Sequence, residues 1–227
     1  MEKDACLARK TALNGDITTF RFSRPFDFQA GQYFLLNLGE GLMKPFSFSN
    51  SPTEGDHIEL TTRMSGSDYK KRLDGLSIGE RALVSGPMGQ FTYKSSLRKV
   101  AFLAGGIGIT PFRSICKYAT DTAADSDIVL MWGNNTVEEA IFKDVFDVMC
   151  KDNPRLRVVH VIARPPSGWT GHSGFITAEI VKAEVPDYPE RTFYVCGPPR
   201  MVEAMRAVLA QLEVGNDRIV IEEFGGY

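Results

Sequence analysis

VAFLAGGIGITP, residues 100–111, sets the class of fold, because an apolar strand runs into three glycines and a helix begins at the proline. Glycines at such a junction let backbone N–H groups approach a pyrophosphate, and the helix dipole favours the same anion. The usual dinucleotide pattern G-x-G-x-x-G is not met, since Pro111 stands where the third glycine would be. The stretch therefore predicts either a phosphate cradle or a tight turn with packing glycines.

The chain follows two different patterns on either side of this stretch. From Lys99 onward, apolar strands alternate with amphipathic helices, which predicts a parallel sheet covered on both faces. Up to about Leu97 the segments are short, β-like and separated by turns such as Asn14-Gly15, which predicts an antiparallel barrel or sandwich interrupted by one helix over 67–76. We therefore expect two domains, an antiparallel β-barrel or sandwich over 1–97 and an α/β parallel-sheet domain over 98–227.

The second half is predicted in more detail. Its expected strands cover 100–104, 128–132, 156–163, 192–196 and 218–221, with a looser stretch after the third. The helix after the second strand is expected to place Ile141, Val145 and Met149 on one face, and the methionines of the last helix are expected in the core.

Composition excludes several classes of protein. The chain has 227 residues, 43% hydrophobic and 24% charged, with a net charge of −2, which is typical of a folded globular protein rather than a disordered one. With 26 Lys+Arg against 28 Asp+Glu and no basic run, nucleic acid is not expected as a partner. Neither a bilayer-length apolar run nor a signal-peptide core is present, and the four cysteines and three histidines are scattered. We expect a cytoplasmic protein with no membrane insertion and no metal site.

Two further groups of residues carry possible chemistry. Tyr194-Val-Cys-Gly-Pro-Pro199 stands at the carboxyl end of a predicted strand, where parallel sheets bind ligands. In the first half, Lys44-Pro-Phe-Ser-Phe-Ser-Asn50 is followed by Gly66-Ser-Asp-Tyr69 and Gly86-Pro-Met-Gly-Gln-Phe91. Taken singly, each is more typical of core and turn residues than of a binding site, including a small buried cysteine at a strand end.

Taken together, these motifs resemble one family. K-P-F-S, G-S-D-Y, G-P-M-G-Q-F, G-G-I-G-I-T-P, C-G-P-P and E-E-F occur in the order found in the ferredoxin–NADP⁺ reductase superfamily, over the whole chain. The resemblance implies a barrel that binds FAD and a following domain that binds NAD(P)H, which gives a hydride to the flavin so that electrons leave singly. Because no C-x₄-C-x₂-C occurs, the resemblance implies a stand-alone form without an iron–sulfur domain and a separate acceptor protein, such as a ferredoxin, a flavodoxin or an oxygenase component.

The resemblance also implies roles for residues of the barrel. Ser47 corresponds to the hydroxyl beside flavin N5, Phe46 to the aromatic ring against the flavin, and Lys44, next to Pro45, to the cation on its pyrophosphate. A second phosphate loop is implied at Gly66, Ser67 and Asp68, which favours FAD over FMN. Lys44 stands where the family has arginine, so a bidentate fork is lost, and Phe46 stands where it has tyrosine, so a phenolic hydroxyl is lost. The resemblance therefore implies looser flavin binding.

Two aromatic residues have an open assignment. Tyr69 or Phe91 is expected either to shelter the adenine of the flavin or to belong to the core.

In the second domain the same resemblance places the nicotinamide nucleotide. The pyrophosphate and nicotinamide contacts correspond to Gly105, Gly106, Gly108 and Thr110, and the wall beside nicotinamide C4 corresponds to Cys196, Gly197 and Pro198. Phe224 matches the terminal aromatic that covers the flavin, although Tyr227 is an alternative. Glu222 is either a proton relay or a solvated carboxylate. Ser47, Cys196, Glu222 and Phe224 are thus the predicted catalytic residues.

The choice of nucleotide and of acceptor is less determined. Asn135, with Glu138 and Glu139 close by, offers no clamp for a 2′-phosphate, so NADH is favoured over NADPH, and Arg164 is the residue that would reverse this. Two alternatives remain open: an NAD(P)H:flavin reductase that releases flavin as a product, and an electron-transfer subunit of a larger complex. The sequence does not identify the acceptor.

Overall fold

Antiparallel strands form the first of two sheets in the computed structural model, which describes residues 2–225. The elements are β1 (Glu2–Asn14), β2 (Ile17–Ser23), β3 (Tyr33–Asn37), β4 (Met43–Ser47), β5 (His57–Arg63), α1 (Asp68–Asp74) and β6 (Arg81–Met88). The strand order is β4-β3-β6-β1-β2-β5, and β1 and β2 form the hairpin predicted at Asn14-Gly15.

The alternation of side chains explains why this sheet closes around a core. Alternate residues of a strand face the same side, and the inward set includes the fully buried Phe20, Phe22 and Phe34, beside which Phe48 is buried directly after β4. Phe28 stacks on Phe48 with ring centres 3.9 Å apart. Helix α1 covers one end of this core.

The second sheet is entirely parallel. Its elements are β7 (Lys99–Gly105), α2 (Thr110–Asp121), β8 (Asp127–Asn134), α3 (Lys143–Asp152), β9 (Leu156–Ile162), β10 (His172–Ser173), α4 (Ala178–Glu184), β11 (Thr192–Gly197), α5 (Pro199–Gln211) and β12 (Ile219–Glu223). The order is β10-β9-β8-β7-β11-β12. The predicted fold class, an antiparallel barrel followed by an α/β parallel-sheet domain, is confirmed.

Two details of the second half differ from the sequence-based expectation. Helix α3 begins at Lys143, so Ile141 precedes it and the fully covered face consists of Phe146 and Met149. Helix α4 lies in the stretch that was expected to be loose. The Thr177 hydroxyl caps it by accepting a hydrogen bond from the Ile180 N–H. This capping residue was not recognised in the sequence because the segment before it is rich in glycine.

The two sheets share packed residues. Ala30 and Phe91 from the first half belong to the same buried cluster as Phe112 and Tyr194 from the second. The Tyr194 hydroxyl donates to the Thr92 carbonyl at 3.1 Å. These contacts hold the two sheets against each other beside the cleft between them. The domain boundary at residue 97 stays a prediction.

Two features are absent from residues 2–225. None of the helices there has both the length and the apolar character that crossing a bilayer requires. No group of three or more histidine, cysteine, aspartate or glutamate side chains in that range is arranged to hold a metal ion.

Candidate active site

A cavity of about 450 Å³ opens where an edge strand of the barrel meets the edge strand of the parallel sheet. In the β3–β4 ladder Ser47 lies opposite Tyr33, whereas Phe46 lies opposite the fully buried Phe34. Alternation therefore directs Ser47 to the face that bounds the cavity and the Phe46 ring towards the barrel core. Both residues and Pro45 line the cavity, and on its other side are Glu222, Glu223, Phe224 and Gly225.

Ser47 and Glu222 form the polar centre of this cavity. The Ser47 hydroxyl donates to Glu222 Oε1 at 3.3 Å, and Ser47 is only 5% exposed. Burial raises the pKa of the Glu222 carboxyl to about 7, because the charged form loses water, and the Ser47 hydrogen bond opposes this only in part. Near neutral pH this carboxyl can therefore hold or release a proton.

Cys196 is fixed next to Glu222 by the parallel pairing of β11 and β12. The residue is completely buried, and burial first, with the neighbouring Glu222 second, raises the pKa of its thiol well above the ordinary value. The thiol stays protonated, so Cys196 acts here as a small packing residue rather than as a nucleophile.

The glycine-rich turn after β7 combines packing with open space. A Cβ on Gly108 would lie 2.4 Å from the Cys196 carbonyl oxygen, so only glycine lets the turn approach β11. Gly106, with φ of +50°, has nothing within 4 Å of such a Cβ. Its carbonyl accepts a 3.0 Å hydrogen bond from Trp132 Nε1. Gly108 is thus a packing glycine, whereas Gly106 leaves open space, and the phosphate cradle at Gly106 stays a prediction.

The carboxyl ends of β7 and β11 lie next to each other because the two strands pair in parallel. A Cβ on Gly105 would lie 3.4 Å from Pro198 Cδ, and one on Gly197 would lie 3.3 Å from the Gly105 nitrogen. Thr110 is buried, and its hydroxyl donates to the Ile107 carbonyl at 3.2 Å. These contacts bring the turn to the carboxyl end of β11, which pairs with β7.

Phe224 reaches the cavity because the chain leaves β12 alongside β11. Its N–H donates to the Gly197 carbonyl at 3.0 Å, and its half-buried ring packs against the core cluster that contains Cys196. Tyr227, the alternative stacking ring, lies outside the described residues.

The loop predicted to hold a phosphate lies at the start of α1. Gly66, Ser67 and Asp68 are exposed, as is Lys44. The Ser67 hydroxyl caps α1 by accepting from the Lys70 N–H. Tyr69 and Phe91 are each 4% exposed and packed against other aromatic rings, which places them in the core.

The loops expected around the adenosine half lie at the ends of β8 and β9. Glu139 accepts hydrogen bonds from the backbone and side-chain nitrogens of Asn135, each at 3.1 Å, and the Asn135 carbonyl accepts from the Arg164 N–H at 2.8 Å. The side chain of Asn135 is thereby bound to a carboxylate, and Arg164 is exposed.

Two residues beside these loops were missed in the sequence. Asn134 is 6% exposed, and neither polar atom of its side chain has a hydrogen-bond partner within residues 2–225. Phe175 is 78% exposed just after β10. No pattern in the sequence distinguishes Asn134 from Asn135, because only the fold shows which amide is buried.

The residues present fit an FAD and a nicotinamide dinucleotide. The cavity is apolar with a hydroxyl and a carboxyl at one point, and lysines lie near the phosphate loop. The open Gly106 turn and the unpartnered Asn134 amide are features that a bound dinucleotide would occupy or satisfy.

Comparison with known proteins agrees with this geometry. The oxidoreductase FAD-binding domain matches residues 4–93, and the oxidoreductase NAD-binding domain matches residues 102–207. NADH-cytochrome b5 reductase 1 of Dictyostelium discoideum is 30% identical over 229 residues, covering 94% of this chain and 79% of the relative.

Two further proteins are similar to different extents. One polypeptide of the Na⁺-translocating NADH-quinone reductase of Klebsiella pneumoniae is 28% identical, and the match covers 85% of this chain and 51% of that polypeptide. The cytochrome b5 reductase domain of Ulva prolifera nitrate reductase superimposes with a TM-score of 0.88 at 22% identity, covering 98% of this chain and 97% of that domain.

Proposed function

Since this chain belongs to the ferredoxin–NADP⁺ reductase superfamily and is a flavin-dependent NAD(P)H oxidoreductase, we propose that it passes electrons from NADH through bound FAD to a separate electron-carrier protein. The observation that carries the proposal is the Ser47–Glu222 pair, because it links the barrel to the nucleotide-binding sheet inside one cavity. When bound, FAD supplies acceptance of a hydride and stepwise release of electrons.

The chain's own residues contribute alignment and a proton-holding group. Ser47 presents a positioned hydroxyl to the cavity, and Glu222 can hold or release a proton beside it at neutral pH, because burial brings the pKa of this carboxyl to about 7. Cys196 and Pro198 form the wall on the nucleotide side, and Phe224 closes the cavity until the nicotinamide enters. No separate acid–base pair is required for hydride transfer, so positioning is the main contribution.

The remaining site residues form two sets, one for FAD and one for the nicotinamide nucleotide. In our proposal FAD is held by Lys44, Pro45, Phe46, Gly66, Ser67 and Asp68. The nucleotide is held by Gly105, Gly106, Gly108, Thr110, Asn135, Arg164 and Gly197. The domain boundary at 97–98 separates these two sets, which is consistent with matches that end at residue 93 and begin at residue 102.

NADH is favoured over NADPH for an electrostatic reason. The Glu139 carboxylate is bound to Asn135 in the loop after β8, and a negative charge there repels a 2′-phosphate. Arg164 is the nearby cation that would oppose this. A ratio of kcat/KM for the two nucleotides measures the balance.

For the acceptor, we propose a small carrier protein of the cytochrome b5 type as the first candidate, since the relatives include NADH-cytochrome b5 reductases. The four free cysteines suit a reducing compartment, which supports a cytoplasmic location. NADH-dependent reduction of cytochrome b5, compared with a ferredoxin and a flavodoxin, tests the assignment. If the chain reduces none of these carriers but reduces ferricyanide rapidly, the proposed class of acceptor is wrong, whereas the assignment as a reductase stands.

A second function, electron transfer within a larger complex, is favoured by the similarity to a component of the Na⁺-translocating NADH-quinone reductase. In that case the isolated chain would show little NADH:ferricyanide turnover. The flavin reductase alternative predicts instead that the yellow colour is lost on gel filtration, whereas a bound FAD co-elutes with the chain.

A further inference from the structure

The loop that follows β4 contacts the helix that follows the glycine-rich turn. This loop spans residues 48–56 and begins directly after Ser47, whereas α2 begins at Thr110, directly after the turn. The Ser114 hydroxyl of α2 donates to the Asn50 carbonyl at 2.7 Å, and both residues are fully buried. A buried hydrogen bond thus joins the segment next to Ser47 to the segment next to the glycine-rich turn.

An ion pair connects the same two segments. The two terminal nitrogens of the Arg113 guanidinium donate to the two carboxylate oxygens of Glu54, one of them at 2.8 Å. The side chains of Arg113 and Glu54 are only 12% and 20% exposed, so water screens this pair less than the exposed ion pairs of the chain. Two parallel N–H···O bonds fix the orientation of the partners as well as their distance.

Glu54 is held firmly within the barrel half. Its carboxylate also accepts from the Ser51 N–H at 2.6 Å. The Asn50 side chain donates to the His57 carbonyl at 2.9 Å and accepts from the Glu59 N–H at 2.7 Å. These bonds hold the loop against β5, so the loop moves with the barrel.

Arg113 is held in a similar way within the parallel-sheet half. Its neighbours Phe112 and Ile115 are fully buried in the core cluster under α2, and its guanidinium carbon lies 5.9 Å from the centre of the Phe142 ring. Gly108, shortly before α2, packs tightly against β11. The start of α2 therefore moves together with the glycine-rich turn.

Other contacts between the halves give less control over their relative orientation. The cluster that contains Phe91 is apolar, and apolar burial stabilises an interface without selecting one orientation. The contact between Ser47 and Glu222 is a single hydrogen bond of 3.3 Å. Hydride transfer is sensitive to orientation, since a misplacement of about 1 Å can slow a reaction about a hundredfold. The bidentate pair of Glu54 and Arg113 is therefore the contact best suited to set the alignment.

We propose that Glu54 and Arg113 are positioning residues for hydride transfer, because their ion pair holds the glycine-rich turn at a fixed place relative to Ser47. Neither side chain is among the described residues that line the cavity. The inference deepens the proposed function and rests on it, since FAD is assigned to one half of the chain and the nicotinamide nucleotide to the other. The affinity for each ligand then depends on one half, whereas the rate of hydride transfer depends on both.

Reduction of the FAD-loaded chain by NADH in a single turnover tests this role. Glu54→Gln removes a charge at nearly constant shape, Arg113→Met removes the guanidinium, and the double variant removes both partners. Arg157→Met is the matched control, because Arg157 pairs with Glu184 wholly within the parallel-sheet half. Stopped flow gives the limiting rate of flavin reduction at saturating NADH, and fluorescence titrations give the dissociation constants of FAD and NAD⁺.

The limiting rate should fall by about tenfold or more in Glu54→Gln and in Arg113→Met. The double variant should stay within about twofold of the slower single variant, because each change removes the same pair. Arg113→Lys should recover part of the rate, since it keeps the charge and loses the fork. The dissociation constants of FAD and NAD⁺ should stay within about threefold of wild type, and Arg157→Met should reduce its flavin at the wild-type rate.

A spectroscopic signature accompanies the rates. The long-wavelength charge-transfer absorbance of a nicotinamide stacked on the flavin should weaken in the slow variants and stay unchanged in Arg157→Met. The proposal is overturned by wild-type limiting rates in Glu54→Gln and Arg113→Met, by a loss explained entirely by weaker binding, or by an equal loss in Arg157→Met. A double variant slowed by the product of the two single losses also overturns it, because the residues would then act independently.

Folding and the proposed function are checked in the same samples. Thermal unfolding is measured for every variant, and if Arg113→Met does not fold, Glu54→Gln decides, because it keeps the side-chain volume. Flavin reduction needs no acceptor protein, so the wild-type rate is a separate result. A wild-type flavin that NADH does not reduce contradicts the proposed function, whereas normal reduction in wild type and in both single variants contradicts only this inference.

Discussion

Replacing Glu222 by glutamine should stabilise the flavin-free chain at alkaline pH and remove part of its pH dependence. In the folded chain burial raises the pKa of this carboxyl from 4.5 to about 7. Between these values the folded chain binds more protons than the unfolded chain, so the free energy of unfolding falls as the pH rises. Each unit of pKa difference is worth about 1.4 kcal/mol, so ionisation of Glu222 costs about 3 kcal/mol once the pH exceeds 7.

Glutamine has the same shape and stays neutral, and its amide oxygen can still accept from the Ser47 hydroxyl. The two proteins should therefore be equally stable near pH 4.5, and Glu222→Gln should be more stable by about 3 kcal/mol near pH 8. Urea unfolding of both chains across this range gives the difference curve, in which the titrations common to both cancel.

The adjacent Glu223→Gln variant is the matched control, because Glu223 is exposed and the change in charge is the same. It should show no comparable gain. A flat difference curve for Glu222→Gln, or a loss of stability near pH 8, would refute the argument that burial controls this carboxyl. In the holoenzyme the same variant should lose the pH dependence of turnover near pH 7.

Three further predictions concern the site. Ser47→Ala should retain flavin but slow hydride transfer by about a hundredfold, on the scale of a lost transition-state hydrogen bond; stopped-flow flavin reduction at the wild-type rate would remove Ser47 from the site. Gly108→Ala should lower the melting temperature most, because its Cβ would lie 2.4 Å from the Cys196 carbonyl oxygen, whereas Gly106→Ala, strained only by the φ of +50°, should lower it less, fold and lose nucleotide affinity; equal melting temperatures for the two would contradict this. Removing residues 224–227 should tighten nicotinamide binding, measured as the NAD⁺ dissociation constant, since the Phe224 ring no longer lines the cavity; an unchanged constant would assign the segment a structural role.

Local patterns were sufficient to predict the two sheets and the position of the nucleotide turn. Period-two alternation in the first half and strand–helix alternation in the second are local properties, and they decide which faces are buried. Because parallel strands end at one edge of a sheet, the glycine turn after β7 and the cysteine motif after β11 could be placed together in advance. The contact between Gly105 and Gly197 follows from that rule.

The chemistry of the site depended on contacts between distant parts of the chain. Ser47 and Glu222 are 175 residues apart, and the sequence left Glu222 as either a relay or a solvated carboxylate. Burial against the barrel removes the solvated alternative, because desolvation is a property of the surrounding fold and not of the residue. The relay role of Glu222 stays a prediction. For the same reason Lys70 and Asn134 have no distinguishing local pattern, and only packing turns one into a buried cation and the other into an unsatisfied amide.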